Sequence, residues 1–241
     1  MSDMLLTLEG VHTHIGAYHI LHGVDLQVPR GQLTMLLGRN GAGKTTTLRT
    51  IMGLWQASQG RITFNGQDIT RRHTPAIAAL DIAYVPENMG IFADLTVKEN
   101  MLLAARQARH ARDMDEERLQ WIFKLFPAVE KFWNHPAGKL SGGQKQMLAV
   151  SRAIVEPRRL LIVDEPSKGL APVMIDNMIT AFQQLKASGV TILLVEQNIN
   201  FAKRLGDRVA VMDDGRVVHA GAMQALAEDE VLQQSLLGLA L

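Results

Sequence analysis

"QLTMLLGRNGAGKTTTLRTIM", residues 32–52, decides how this chain folds. An apolar strand at Thr34–Leu37 runs into a glycine-rich turn and then into a helical pattern, "TTLRTIM". The turn, Gly38 to Thr45, matches G-x-x-x-x-G-K-[ST] in the strand-to-helix setting this motif requires. Gly38, Gly41 and Gly43 free the backbone to curl its N–H groups round an anion, and the helix N-terminus adds partial positive charge. Gly38, Arg39, Asn40, Gly41, Ala42, Gly43, Lys44, Thr45 and Thr46 are therefore the candidate phosphate-binding set. Lys44 is placed to reach the outer phosphates and the Thr45 hydroxyl to ligate Mg²⁺. A plain glycine turn with a surface lysine is the bland alternative, and the flanking strand and helix argue against it.

Outward from this turn, β-rich runs alternate with helical patterns. The runs include "LLTLEGV", "GRITFNG", "IAYVP", "RLLIVDE" and "VTILLVE", several bounded by Gly or Pro. "PVMIDNMITAFQQLKASG" reads as a helix with Pro172 at its start and Gly189 beyond its end. Apolar strands joined by helices predict an α/β fold with a mainly parallel sheet covered on both faces. From about Thr96 to Val155 the rhythm breaks into consecutive helices, which predicts a helical subdomain, approximately residues 90–155, inserted into one domain spanning 1–241.

Composition sets the bounds. Of 241 residues 47% are hydrophobic and 20% charged, enough apolar content for a sizeable core. A net charge of +1 with mixed signs gives no field to attract nucleic acid or an anionic membrane. The absence of cysteine rules out disulfides and thiolate metal sites and fits a reducing compartment. "MSDMLLTLEGVHTH" does not read as a secretory leader, and no apolar run approaches the ~20 residues of a membrane helix. The expectation is a cytoplasmic protein whose membrane contact comes through a partner.

Two further stretches carry chemistry. "RRLLIVDEP" delivers Asp164 and Glu165 to a strand's carboxyl end, where open α/β sheets bind ligands. Asp164 is a candidate Mg²⁺ ligand through water, and Glu165 the carboxylate that polarises an attacking water. "LSGGQ" places Ser141 and Gln144 at capping-box spacing before a helix. Capping alone leaves Gly142 and Gly143 unexplained, since each costs up to about 1 kcal/mol relative to alanine in a helix. A polyphosphate approaching bare N–H groups would account for both glycines.

With these motifs in this order, the chain resembles the nucleotide-binding subunit of ATP-binding cassette (ABC) transporters over its whole length. The resemblance implies a RecA-like P-loop NTPase core with an antiparallel β subdomain and the inserted helical signature subdomain. It also implies ATP and Mg²⁺ as cofactors, and ATP hydrolysis as the activity. In that family two cassettes pair head to tail, so Ser141, Gly142, Gly143 and Gln144 would bind the ATP held by the other chain's P-loop. "AYVPENMGIF", "DEPSKGLAP" and "LLVEQN" look like the LivF-type subunit of branched-chain amino acid and amide importers. The implied partners are a LivG-type paralogue or a second copy, integral membrane permease subunits and, indirectly, a periplasmic binding protein, with no nucleic acid. The implied location is the cytoplasmic face of the inner membrane.

Several positions depart from the wider family's pattern. Glu87 stands where most members have a glutamine near Mg²⁺, and Gln197 where most have a switch histidine. Glu87 can still ligate Mg²⁺; Gln197, the second catalytic candidate beside Glu165, can donate a hydrogen bond to a γ-phosphate but cannot carry charge or shuttle a proton. Ile15 occupies the usual adenine-stacking position, with the aromatic Tyr18 nearby, and Ala171 replaces an aspartate that usually contacts the opposite site. Ile91 and Phe92 are either a seat for a permease helix or subdomain core. His12, His14, His19 and His22 lack the neighbours of a metal site, the twelve methionines read as core filler, and "EVLQQSLLGLAL" reads as a short amphipathic helix. A P-loop kinase or GTPase would not need "LSGGQ". A soluble DNA-repair or translation cassette would bring tandem cassettes or a coiled coil, while an exporter remains compatible with the motifs.

Overall fold

The computed structural model describes residues 3–106, 108, 110 and 113–238. Two sheets share the chain. Strands β1 (Met4–Ile15), β2 (Tyr18–Pro29), β4 (Ala57–Phe64) and β5 (Gln67–Asp68) form an antiparallel sheet in the order β2-β1-β4-β5. The second sheet runs β10-β9-β3-β8-β7-β6, built from β3 (Leu33–Gly38), β6 (Ile82–Val85), β7 (Leu160–Asp164), β8 (Thr191–Glu196), β9 (Arg208–Asp213) and β10 (Arg216–Ala222). Its strands pair in parallel except β9 with β10. The parallel sheet predicted from the apolar runs is thus present, with one antiparallel edge that the pattern had not suggested.

Burial explains why those runs are apolar throughout. Along β3, Leu33, Met35 and Leu37 enter one core while Leu36 enters the other; along β7, Leu161 and Val163 alternate with Leu160 and Ile162 in the same way. Both faces of the central sheet are therefore dry, and a polar residue on either would lose its water without gaining a partner. One face packs on α1 (Lys44–Ile51) and the antiparallel sheet. The other packs on α7 (Pro172–Ala187), α8 (Ile199–Lys203) and the helical stretch below.

That stretch comprises α3 (Val97–Ala104), α4 (Glu116–Leu125), α5 (Pro127–Lys131) and α6 (Gly142–Ala153). Capping boxes start two of these helices, Thr96 with Glu99 for α3 and Ser141 with Gln144 for α6. Fully buried Asn100 pins the preceding loop by accepting from Phe92 N at 3.0 Å and donating to Phe92 O at 2.9 Å. Ile91 packs into the core, whereas Phe92 stays half exposed beneath the Arg152 guanidinium. Ile91 thus packs as subdomain core, one of the two alternatives the sequence left open.

α2 (Thr74–Ala78), α9 (Met223–Glu228) and α10 (Glu230–Leu237) are the remaining α-helices among the described residues. α10 realises the amphipathic stretch at the end of the chain, of which residues 239–241 lie outside the described residues. Residues 1–2 of the stretch tested for a leader also lie outside them. Among the described residues no helix is long and apolar enough to cross a membrane.

Candidate functional site

Parallel pairing brings the carboxyl ends of four strands to one edge. Leu37 pairs with Glu196, Asp164 with Val195 and Val85 with Val163, so Gly38, Glu87, Glu165 and Gln197 all follow adjacent strand ends. In the P-loop, Gly38, Gly41 and Gly43 take φ of +151°, +84° and +99°. Gly43 caps α1 in the left-handed region, and a Cβ there would stand 3.0 Å from Leu21 Cδ2 and 3.3 Å from Met212 Cε. The loop is thus moulded on the antiparallel sheet and on β9. Arg39, Asn40 and Gly41 are exposed, Ala42 is buried, and Thr45 and Thr46 are half-buried. Arg39 reaches the end of α10, donating from Nε to the Leu237 carbonyl at 3.3 Å.

Lys44 is buried. Its Nζ donates to the carbonyls of Gly38 (2.8 Å) and Arg39 (3.0 Å) and lies 3.6 Å from Glu165 Oε1. Burial lowers the ammonium's pKa, against the pull of the Glu165 carboxylate. Thr45 Oγ1 donates to Asp164 Oδ1 at 3.3 Å, and Tyr84 OH donates to Asp164 Oδ2 at 3.5 Å. Burial of Asp164 is complete and pushes its carboxyl up to about 6; the Thr45 bond opposes this, and the Glu165 and Glu87 charges add to it. The Tyr84 phenol is pushed up to about 12, by burial first and by Asp164 second.

Glu165 is held at φ +49°, a conformation costing on the order of 1–3 kcal/mol for a non-glycine residue. Its N–H donates to the Val195 carbonyl at 3.0 Å, which holds residue 165 to the end of β8, and the positive φ turns the chain there. The side chain, nearly buried, accepts from Gln197 Nε2 at 2.6 Å. The structure therefore joins the two residues singled out as catalytic in one hydrogen bond. Beneath them, buried Glu196 accepts from the backbone N–H groups of Ser167 (2.9 Å), Gln197 (3.2 Å) and Asn198 (3.4 Å). Burial raises its pKa, and those bonds oppose the rise. Glu196 ties the turn after β7 to the turn after β8, a role signalled in the sequence only by an acid ending the apolar run "VTILLVE".

The donors here fit a hard divalent cation. A hydroxyl and a carboxylate, Thr45 and Asp164, lie side by side, and the carboxylate is buried with only hydroxyl partners. Mg²⁺ prefers such oxygen ligands, few in number, and completes its shell with water and phosphate. Glu87 is exposed, with Lys168 Nζ 2.5 Å from its Oε1, and its charge acts on Asp164. Lys168, which the sequence reading passed over inside "DEPSKGLAP", also lies 3.5 Å from Glu165 Oε2.

The second glycine-rich motif sits elsewhere. Ser141 accepts from Gln144 N at 3.4 Å and its own N–H donates to Gln144 Oε1 at 2.9 Å, leaving the Gly142 and Gly143 amides at the helix start. Among the described residues no hydrogen bond joins 141–144 to 38–46. Gly142 is exposed, with nothing within 4 Å of a Cβ position. Gly143 differs, because a Cβ there would meet Met174 Cε of α7 at 2.5 Å. Gly143 is therefore close-packed against a flexible side chain of α7, whereas Gly142 faces open space.

Ile15 is half-buried at the end of β1, Tyr18 is largely exposed, and Ala171 is the exposed N-cap of α7 without a side-chain bond. The four histidines gather on one face of β1 and β2, with His14 and His19 rings stacked 4.2 Å apart at 8°. Among the described residues no group of three or more His, Cys, Asp or Glu could hold a metal ion. On the side of Glu87, a groove of about 1080 Å³ lies between β6, the end of α1 and α6; Leu54, Trp55, Met89, Arg106 and Arg152 are among its walls.

Comparison with known proteins agrees with this geometry. Residues 21–168 match the family model described as ABC transporter. The chain is 37% identical to the high-affinity branched-chain amino acid transport ATP-binding protein BraG of Pseudomonas aeruginosa, covering 97% of this chain and 100% of that one. It is 35% identical to the probable branched-chain amino acid transport ATP-binding protein LivF of Archaeoglobus fulgidus, over 92% and 93%. A solved ATP-binding subunit of an ABC transporter superposes with a TM-score of 0.81 at 29% identity, over 97% and 96% of the two chains. A dimeric bacterial ABC transporter cassette superposes at 0.80 with 25% identity, over 90% and 98%. With its P-loop, acidic strand end and capped signature helix carried on this fold, the chain belongs to the ABC transporter family, as one of its ATP-binding, ATP-hydrolysing cassettes.

Proposed function

We propose that this cassette energises uptake of branched-chain amino acids or a related amide, docked on the cytoplasmic face of the inner membrane against permease subunits. The relatives named for branched-chain amino acid transport support this choice of cargo. The observation that carries the mechanism is the separation of two anion-binding devices. Lys44, Asp164, Glu165 and Gln197 converge at one sheet edge, while Gly142 and Gly143 stand at the start of α6, with no hydrogen bond among the described residues joining 141–144 to 38–46. One triphosphate would be gripped by residues 38–46 of one chain and by Ser141, Gly142, Gly143 and Gln144 of another.

Within the site, the loop amides and Lys44 hold and orient the phosphates. Thr45 and Asp164, with Glu87 from the neighbouring loop, would hold Mg²⁺, which when bound neutralises charge between the outer phosphates. Glu165, already fixed by Gln197 and by its strained backbone, accepts a proton from the attacking water; general-base help of this kind is worth ~10²–10⁴ in rate. Nucleotide holds the two chains together only while it presents its outer phosphate to both, so hydrolysis lets them part. The groove beside Glu87 is where a cytoplasmic segment of a permease would feel that motion.

Light scattering of Glu165→Gln protein with Mg·ATP tests the pairing, alone and mixed with a LivG-type paralogue. ATP-dependent doubling of mass supports the reading, and persistence of a monomer in both conditions overturns it. Cargo is tested by ATP-dependent uptake of leucine, isoleucine, valine and short amides into vesicles holding the full complex.

A further inference from the structure

The site carries more negative charge than its known cations offset. Asp164, Glu165 and Glu87 meet near the strand ends, and Lys44 is committed to two carbonyls and to Glu165. Lys168 answers this excess from outside. Its N–H donates to the Glu165 carbonyl at 3.2 Å, so the turn forced by the positive φ of Glu165 carries residues 165 and 168 to the same side. Its ammonium then lies 2.5 Å from Glu87 Oε1 and 3.5 Å from Glu165 Oε2, bridging the loop after β6 to the turn after β7.

We propose that Lys168 is a positioning residue of the ATPase reaction: it neutralises Glu87 and holds it off the outer phosphate until nucleotide and metal arrive together. This rests on the reading that residues 38–46 and Glu165 flank that phosphate. A free carboxylate at 87 would repel an approaching triphosphate, and the Lys168 pair removes that repulsion. The Lys168 and Glu87 side chains are 57% and 45% exposed, so the pair is screened and easily opened. That suits a contact that must break when Glu87 turns toward Mg²⁺. Both neighbouring carboxylates push the Lys168 ammonium's pKa upward, Glu87 first, in agreement with this placement.

The test is equilibrium binding of a fluorescent mant-ATP to the full chain, in EDTA and then in excess Mg²⁺, so that affinity is read without turnover in the first condition. Lys168→Met weakens metal-free binding about two- to fivefold, the range expected of an exposed charge pair. The loss shrinks in Mg²⁺, where Glu87 has a cation to face. Lys168→Arg keeps wild-type affinity. In a Glu87→Gln background, Lys168→Met loses nothing further, because no carboxylate is left to neutralise. Equal metal-free affinity of Lys168→Met and wild type overturns the proposal, as does an undiminished loss in the Glu87→Gln background. Failure of the wild-type chain to bind mant-ATP in either condition would instead remove the nucleotide reading on which the proposal stands.

Discussion

Replacing Asp164 by Asn should make the metal-free protein more stable. The carboxyl is fully buried and is pushed from its ordinary 3.8 up to about 6, chiefly by loss of water. A group that binds its proton more tightly when folded favours the fold below pH 4, and that advantage disappears as pH rises through 6. At about 1.4 kcal/mol per tenfold change in proton affinity, keeping this carboxylate ionised at pH 8 costs the folded state roughly 3 kcal/mol. The Asn amide carries no charge and keeps partners, since the Thr45 and Tyr84 hydroxyls can each donate or accept. For a chain of this size the gain corresponds to a Tm higher by roughly 6–12 °C. Urea or thermal denaturation in EDTA without nucleotide reads it directly. The same linkage roughly halves the gain at pH 5. Mg·ATP should narrow the gap from the other side, because only the wild-type carboxylate gains from the cation. An Asn variant no more stable than wild type at pH 8, or an increment equal at pH 5 and pH 8, would refute the reasoning.

Glu165→Gln should lower steady-state ATP turnover ~10²–10⁴-fold while leaving mant-ATP affinity within a few-fold, as expected for loss of a general base. Ser141→Ala removes the N-cap of α6 for about 1 kcal/mol of stability, and should also abolish ATP-dependent pairing in light scattering. Thr96→Ala removes the matching cap of α3 at a similar stability cost and should leave pairing intact, separating capping from function. Phe182→Ala, which empties a fully buried position packed edge-on against Phe201, should cost about 3–5 kcal/mol in urea denaturation with no specific effect on nucleotide affinity.

What the sequence made legible were features with local causes. The apolar runs ending in Gly38, Asp164 and Glu196 announce strands dry on both faces, and their ends coincide because the strands are parallel. Pro172 and Gly189 mark α7 to within a residue or two of its limits. β2 and β10 were harder to read. β1 and β2 pair through register shifts that disturb strict alternation around His12 and Gly23, and β10, "RVVHAGA", is an edge strand with no buried residue. The bond from Gln197 to Glu165 and the contacts of Lys168 were hidden for another reason. Each depends on a turn whose direction is set by the positive φ of Glu165, a conformation no propensity assigns to glutamate. Gly143 has a further neighbour that no local pattern could announce, Met174 of α7, a helix from a distant part of the chain.

That contact has a mechanical meaning. Met174 lies against Gly143 within the first turn of α7, three residues beyond Ala171 and nine beyond Glu165. A displacement at the opening of α6 would therefore press, through the Met174 side chain, on the first turn of α7, the helix that follows the Glu165 turn.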